Sequence, residues 1–217
     1  MDIITTKKAL SSISCDLLGI AIAQTTCDED ALSQALSCLG DFGKSLAKIA
    51  VMDDFKGKLG SKTSYATFGH IEATRIVLLG AGDGDVDGIR RASGTLGSLA
   101  RVHGAQTVCL SASDSIAIDA NAAREGFGAG NYQFDKYKSE DKRKSPAELL
   151  LLHNVDDLRD VDHAHAIAAG QSLARDLVNE PAAVVYPQSM AEIALGLAND
   201  NLTVEVWNED RIADAGM

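Results

Sequence analysis

Aromatic residues make up only 5% of this 217-residue sequence. Any core must therefore be built from Leu, Ile, Val and Ala rather than from stacked rings. Proline occurs three times, which excludes a polyproline linker. No run reaches the roughly 20 apolar residues that a membrane span needs. The start, Met1-Asp-Ile-Ile-Thr-Thr-Lys-Lys8, holds no apolar stretch of signal-peptide length, so a cytoplasmic protein with no membrane partner is expected. Positive charge is also short: 20 Lys and Arg stand against 31 Asp and Glu, a net −11. Such a field repels phosphate backbones, so nucleic acid is not an expected partner. The one basic cluster, Lys136, Lys138, Lys142, Arg143 and Lys144, is interrupted by Asp135, Glu140 and Asp141 and reads as a solvated loop.

Signatures of chemistry are missing as well. Cys15, Cys27, Cys38 and Cys109 are widely separated with no Cys-x-x-Cys; they read as reduced thiols acting as small hydrophobes. Neither Gly-x-Ser-x-Gly nor His-Glu-x-x-His occurs. Asp162-His163-Ala-His165 is the best metal candidate, but positions i and i+2 of a helix point about 200° apart and cannot share an ion. His70, His103 and His153 are isolated and read as surface or loop residues. Gly80-Ala-Gly-Asp-Gly84 stands where a phosphate loop would, yet its spacing is Gly-x-Gly-x-Gly. Asp83, Asp85 and Asp87 place negative charge where a pyrophosphate would lie, so a structural turn is expected. Asp176 and Glu180 are explained by ion pairing and turn formation. No catalytic, cofactor-binding or metal-ligating residue is assigned.

What is present is alternation of short Val/Ile/Leu runs with helical patterns, the mark of an α/β domain. Strands are predicted at Asp2–Thr6, Asp16–Ala23, Ser64–Phe68, Arg75–Leu79, Thr107–Ser111 and Glu148–Leu152. The runs Ile76–Leu79 and Leu149–Leu152 are apolar throughout, as in central strands covered on both faces. Ala31, Leu32, Ala35, Leu36 and Leu39 follow helical spacing, with Asp28 or Asp30 as N-cap. Further helices are predicted at Val86–Val102, Ser115–Gly126 and Asp162–Val178, the last with Leu173 and Leu177 on a buried stripe and Pro181 as its stop. Gly126–Ser145 reads as an exposed connection. Beyond it, Ser189–Ala198 and Glu209–Ala215 read as helices and Leu202–Trp207 as a strand, too little to bury a core alone.

Several segments in order resemble leucine (cytosol) aminopeptidases. The strongest is Gly170-Gln-Ser-Leu-Ala-Arg-Asp-Leu-Val-Asn-Glu-Pro181, similar to the family's junction between its N-terminal and catalytic domains. Asp54-Phe-Lys-Gly-Lys-Leu-Gly60, Ile76-Val-Leu-Leu-Gly80 with Ile89-Arg-Arg-Ala-Ser-Gly94, and Tyr132-Gln-Phe-Asp-Lys-Tyr-Lys138 resemble its earlier segments. There are departures: Asn179-Glu-Pro-Ala-Ala183 replaces the common Asn-Glu-Pro-x-Asn, and Tyr186-Pro187 the common Thr-Pro.

The resemblance implies a mixed sheet flanked by helices, similar to macro domains, over 1–158. It implies a linker helix over 159–180 and the first elements of a truncated catalytic domain over 181–217. For the complete enzyme it implies release of N-terminal residues from peptides, with Leu favoured. Two divalent metals, Zn or Mn, would be held by carboxylates and a lysine downstream of the junction, and the enzyme would assemble as a hexamer. This portion itself is expected to be inactive, to hold no cofactor and to serve assembly. Two other readings stand beside it: a stand-alone macro-domain-like module that binds ADP-ribose or another nucleotide through Gly80–Gly84, and a regulatory or assembly protein lacking the enzyme half.

Overall fold

The computed structural model describes residues 1–24, 28–140, 145, 147–156, 158 and 161–217, the side chain of Val161 excepted. They divide into two compact units, Met1–Ser172 and Leu173–Met217.

The first unit is built on a mixed six-stranded sheet. Its strands are β1 (Asp2–Thr6), β2 (Leu17–Ile22), β3 (Lys62–Ala66), β4 (Arg75–Gly80), β5 (Thr107–Ala112) and β6 (Leu149–His153). The spatial order is β1-β6-β5-β2-β4-β3. Only β3 is antiparallel to its neighbour, pairing Lys62 with Leu79 and Ala66 with Arg75; the other pairs are parallel. Five strands lie within one residue of their expected bounds, and β3 begins and ends two residues before the expected Ser64–Phe68.

The unbroken apolar runs explain the layers. Side chains alternate across a strand, so a run apolar at every position must be covered on both faces. On one face Leu17, Ala21, Val77, Leu79, Val108, Leu110, Leu150 and Leu152 pack under α3 (Val86–His103) and α4 (Ala120–Asn131). On the other, Leu18, Ile20, Ile22, Ile76, Leu78, Cys109 and Leu151 pack under α1 (Glu29–Ala35) and α2 (Gly40–Met52). Aspartates start three of these helices: Asp28, Asp85 and Asp119 accept from the amides of Ala31, Gly88 and Ala122, each at 2.7 Å. Each satisfies one of the backbone donors that a helix start leaves open.

The structure corrects the expected boundaries around glycine. Helix α2 forms where no element is expected, although Gly40 and Gly43 lie within it. Helix α4 begins at Ala120 rather than Ser115 and runs on to Asn131. The supposed exposed connection from Gly126 thus opens with half a helix, in which Gly126, Phe127 and Asn131 are buried. Gly126, Gly128 and Gly130 are not breakers here; Gly126 and Gly130 make a surface low enough for α3 to approach, while Gly128 faces Ala168 of the later helix.

Helix α5 (Val161–Asn179) spans the predicted fourth helix. Its buried side is Ala164 and Ala168. Leu173 and Leu177, expected to be buried, are only half-buried, and Val178 is 85% exposed. The larger apolar residues fall beyond the turns that Ala164 and Ala168 anchor.

In the second unit α6 (Pro187–Leu195) and α7 (Glu209–Asp214) form close to expectation. The predicted strand Leu202–Trp207 does not. Residues 203–208 have no regular structure, and only an isolated bridge joins Asn199 to Leu202. Alternating Val204 and Val206 favour extension, but a strand needs a ladder partner for its backbone groups, and none lies beside it among the described residues.

Candidate functional site

Open α/β sheets bind ligands beyond the carboxyl ends of their parallel strands. Here β5 and β6 end side by side, Leu110 opposite Leu152. A cleft of about 780 Å³ opens above them, lined by the loop after β5, the first residues of α4, and His153 to Asp156. It lies wholly within the first unit.

His153 overturns its reading as a surface or loop residue. It closes β6 and is half-buried, with Nδ1 3.0 Å from Ser111 Oγ on β5 and Nε2 3.1 Å from the Lys8 carbonyl. A carbonyl only accepts, so Nε2 carries the proton and Nδ1 accepts from the Ser111 hydroxyl. Burial holds the imidazole below its usual pKa of 6.5, partly opposed by the Lys8 carbonyl. This neutral pair has the form of a nucleophile and its base, but Ser111 is 1% exposed. A hydroxyl closed to substrate is a cross-strand tie, not a nucleophile.

The rest of the lining is rich in acceptors. Asp114, Asp119 and Asp156 face the cleft. Asp119 uses one oxygen to cap α4, and Asp156 pairs with exposed Lys7. The side-chain oxygen of Asn121 is buried and has no hydrogen-bond partner among the described residues. Ser113 and Ser115 hydroxyls lie 3.2 Å apart.

The Gly80–Gly84 loop is a structural turn, as its aspartates imply. Its amides are engaged: Ala81 donates to Ile22, Gly82 to Gly57 and Gly84 to Ala81. Asp85 occupies the α3 N-terminus with its own carboxylate. Gly82 and Gly84 hold φ of +59° and +76°, which only glycine adopts freely. With three of its amides engaged and the Asp85 carboxylate already on the α3 N-terminus, the loop offers a phosphate little, which weakens the nucleotide reading.

Other candidates stay apart. His165 accepts at Nδ1 from the guanidinium of buried Arg124, whose charged form burial disfavours; His163 is exposed. Among the described residues, no group of three or more His, Cys, Asp or Glu could hold a metal ion. Asp176 lies on α5, and Glu180 donates its amide to the Asp176 carbonyl at 3.0 Å. His70 stacks on Phe42 beside an apolar groove of about 390 Å³ that Ile49, Tyr65 and exposed Phe68 also line. Cys15 and Cys109 are buried and Cys38 exposed; burial pushes the Cys15 thiol up to about 12. Cys27, Lys142, Arg143 and Lys144 lie outside the described residues. The sequence reading missed the cleft because its lining comes from loop residues that no motif joins.

Comparison with known proteins is consistent along the chain. The model of the N-terminal domain of the cytosol aminopeptidase family matches residues 20–141. A probable cytosol aminopeptidase of Pseudomonas syringae pv. tomato is 30% identical over 228 residues, covering 96% of this chain and 46% of the relative. One from Aquifex aeolicus is 35% identical over 179 residues, covering 78% and 36%. The chain spans less than half the length of these curated relatives. Among solved structures, a tomato leucine aminopeptidase mutant superposes with a TM-score of 0.84 at 22% identity, covering all of this chain and 46% of that one. A bottromycin maturation enzyme in complex with Mn gives 0.60 at 21%, covering 84% and 36%.

Proposed function

The chain belongs to the cytosol aminopeptidase family, and on that premise we propose that it is the N-terminal, non-catalytic part of a leucyl aminopeptidase. Residues 1–158 are read as a macro-like α/β domain, 159–180 as a linker helix and 181–217 as the first elements of the peptidase domain. The complete enzyme would release N-terminal amino acids from peptides in the cytoplasm, and this part would serve its assembly into a hexamer.

The observation that carries the reading is the match of the N-terminal-domain model to residues 20–141, in a chain that covers 46% of a full-length relative. Two-metal hydrolysis needs several carboxylates converging on ions about 3.5–4 Å apart, which polarise the scissile carbonyl and supply hydroxide near neutral pH. The described residues offer no such convergence, so they do not fit a Zn or Mn pair, and no step of the reaction is derived from them. A second observation concerns residues 181–217. Leu195, Leu197, Val206 and Trp207 are between 37% and 49% exposed, and neither α6 nor α7 has a buried residue. Those side chains are ones that further peptidase-domain elements would cover.

The test is to titrate purified residues 1–217 with Mn and Zn and assay them on a Leu-anilide. Neither stoichiometric binding nor chelator-sensitive hydrolysis is expected. Sub-micromolar metal binding, or turnover abolished by a chelator, would overturn the reading.

A further inference from the structure

The sheet ends on one side at β3, whose outer edge is open. In an antiparallel pair every second residue bonds to the partner strand, and the residues between turn their amides and carbonyls away. Ser61 accepts from the Gly80 amide and Thr67 donates to the Thr74 carbonyl, so residues 61, 63, 65 and 67 face β4. Lys62, Ser64 and Ala66 therefore turn their backbone groups outward. Among the described residues no strand lies beyond them. Three N–H and three C=O groups are left for another extended chain.

The two faces beside this edge differ, and the difference defines what can add there. Side chains alternate, so Thr63 and Tyr65 lie on the α2 face, where Tyr65 packs against the core, and Lys62 and Ser64 on the opposite one. On the α2 face the apolar groove of about 390 Å³ opens between Phe42 and Ile49 of α2, Tyr65 and Phe68. Its one lining carboxylate, Asp41, is paired with Lys44 at 3.0 Å. Phe68 stands 88% exposed with φ of +51°, a conformation that bulky residues rarely adopt. On the opposite face the charges are positive: exposed Lys62, and Arg75, whose Nη1 lies 3.5 Å from Ser64 Oγ. Neither has an ion-pair partner among the described residues.

We propose that the β3 edge binds an extended peptide segment in which apolar and acidic side chains alternate. The apolar ones enter the groove and the carboxylates meet Lys62 and Arg75. Main-chain bonds supply affinity and the two faces supply selectivity, as in other additions of a strand to an open edge. A chain of net −11 repels an acidic peptide over most of its surface, so binding must be confined to a place where cations stand uncompensated. A second copy of β3, Lys62-Thr-Ser-Tyr-Ala66, carries no carboxylate and does not meet the requirement. The assignment rests on the first unit alone and does not depend on the aminopeptidase reading.

The full chain is titrated at physiological salt into fluorescein-labelled acetyl-Glu-Leu-Glu-Phe-Glu-Leu-Glu-amide, and anisotropy is followed. Saturable one-to-one binding is expected, with amide NMR shifts confined to residues 41–49 and 62–68. The same peptide with every amide N-methylated, or with Lys in place of Glu, should bind at least about tenfold more weakly. Ser64→Pro removes an outward amide that no ladder uses, a place where an edge strand accepts proline, and should weaken binding at least about tenfold. Lys62→Glu should do likewise without touching the backbone. Lys8→Glu makes the same charge change beyond β1, at the other edge of the sheet, and should leave affinity within about twofold. Thermal unfolding of each variant verifies its fold. No saturation at millimolar peptide, equal binding of the N-methylated peptide, equal losses in Lys62→Glu and Lys8→Glu, or shifts that map elsewhere would overturn the proposal.

Discussion

A Cβ on Gly126 would lie 1.9 Å from the carbonyl oxygen of Arg90. Helices α3 and α4 therefore meet backbone against backbone, with no side chain between them at this point. The contact repeats one turn on, where a Cβ on Gly130 would lie 2.0 Å from the Gly94 carbonyl. Buried Ser93 donates to the Ala123 carbonyl at 2.6 Å across the same interface, and Arg90 pairs with Glu125 at 2.9 Å. Substitution of Gly126→Ala should destabilise the fold by about 3 kcal/mol or more, because backbone rather than a flexible side chain must move. Gly170→Ala, within α5 and with nothing near its added methyl, should stabilise by up to about 1 kcal/mol through helix propensity. Urea unfolding of both variants checks the pair; equal effects would remove the close-contact explanation.

His153 gives stability a pH dependence of known sign. Its folded pKa lies below the unfolded value of about 6.5, so as pH falls the unfolded chain takes up the proton first. The contribution is complete above about pH 6.5 and is lost as pH falls from there through the lower, folded pKa. Denaturant midpoints at pH 7.5 and 5.0 should show a drop in the parent that shrinks in His153→Gln. An unchanged drop would mean other groups carry it.

Thiol chemistry should follow burial. Cys38 is exposed, whereas Cys15 and Cys109 are buried and held protonated at neutral pH, Cys15 with its pKa at about 12. The thiolate is the reacting form. Mass mapping after iodoacetamide should show Cys38 labelled in the native protein and Cys15 and Cys109 labelled only in denaturant. Native labelling of Cys109 would contradict its place in the sheet.

Backbone protection should divide the two units. Amides of Ile76–Leu79 lie in ladders on both sides, while residues 203–207 have no ladder. Exchange should be orders of magnitude faster in the second segment. Equal protection in a monomer would mean that the tail has a partner within the chain.

Each aspartate cap should be worth about 1 kcal/mol. Asp85→Ala, which leaves the Gly88 amide without its 2.7 Å acceptor, should lower the unfolding free energy by that amount while Asp85→Asn retains most of it. No difference between the two variants would show that the capping bond adds nothing.

Sequence alone determined the strands, the fold class and the family. Runs such as Ile76–Leu79 are apolar at consecutive positions, which only a strand covered on both faces can bury, and this is a property of the local chain. The Gly80–Gly84 turn is local in the same way, since its glycines and the aspartates around it are neighbours along the chain. Glycines at 126 and 130 look like breaks until α3 is seen to need their missing side chains. Leu202–Trp207 alternates like a strand, but pairing requires a neighbour that local pattern cannot supply. His153, Ser111, Asn121 and Asp114 stand up to 42 residues apart along the chain and meet only because β5 and β6 are parallel neighbours with their ends aligned. Tertiary structure alone decided that meeting, because a cleft is made by the spatial order of strands, and strand order is absent from any local pattern.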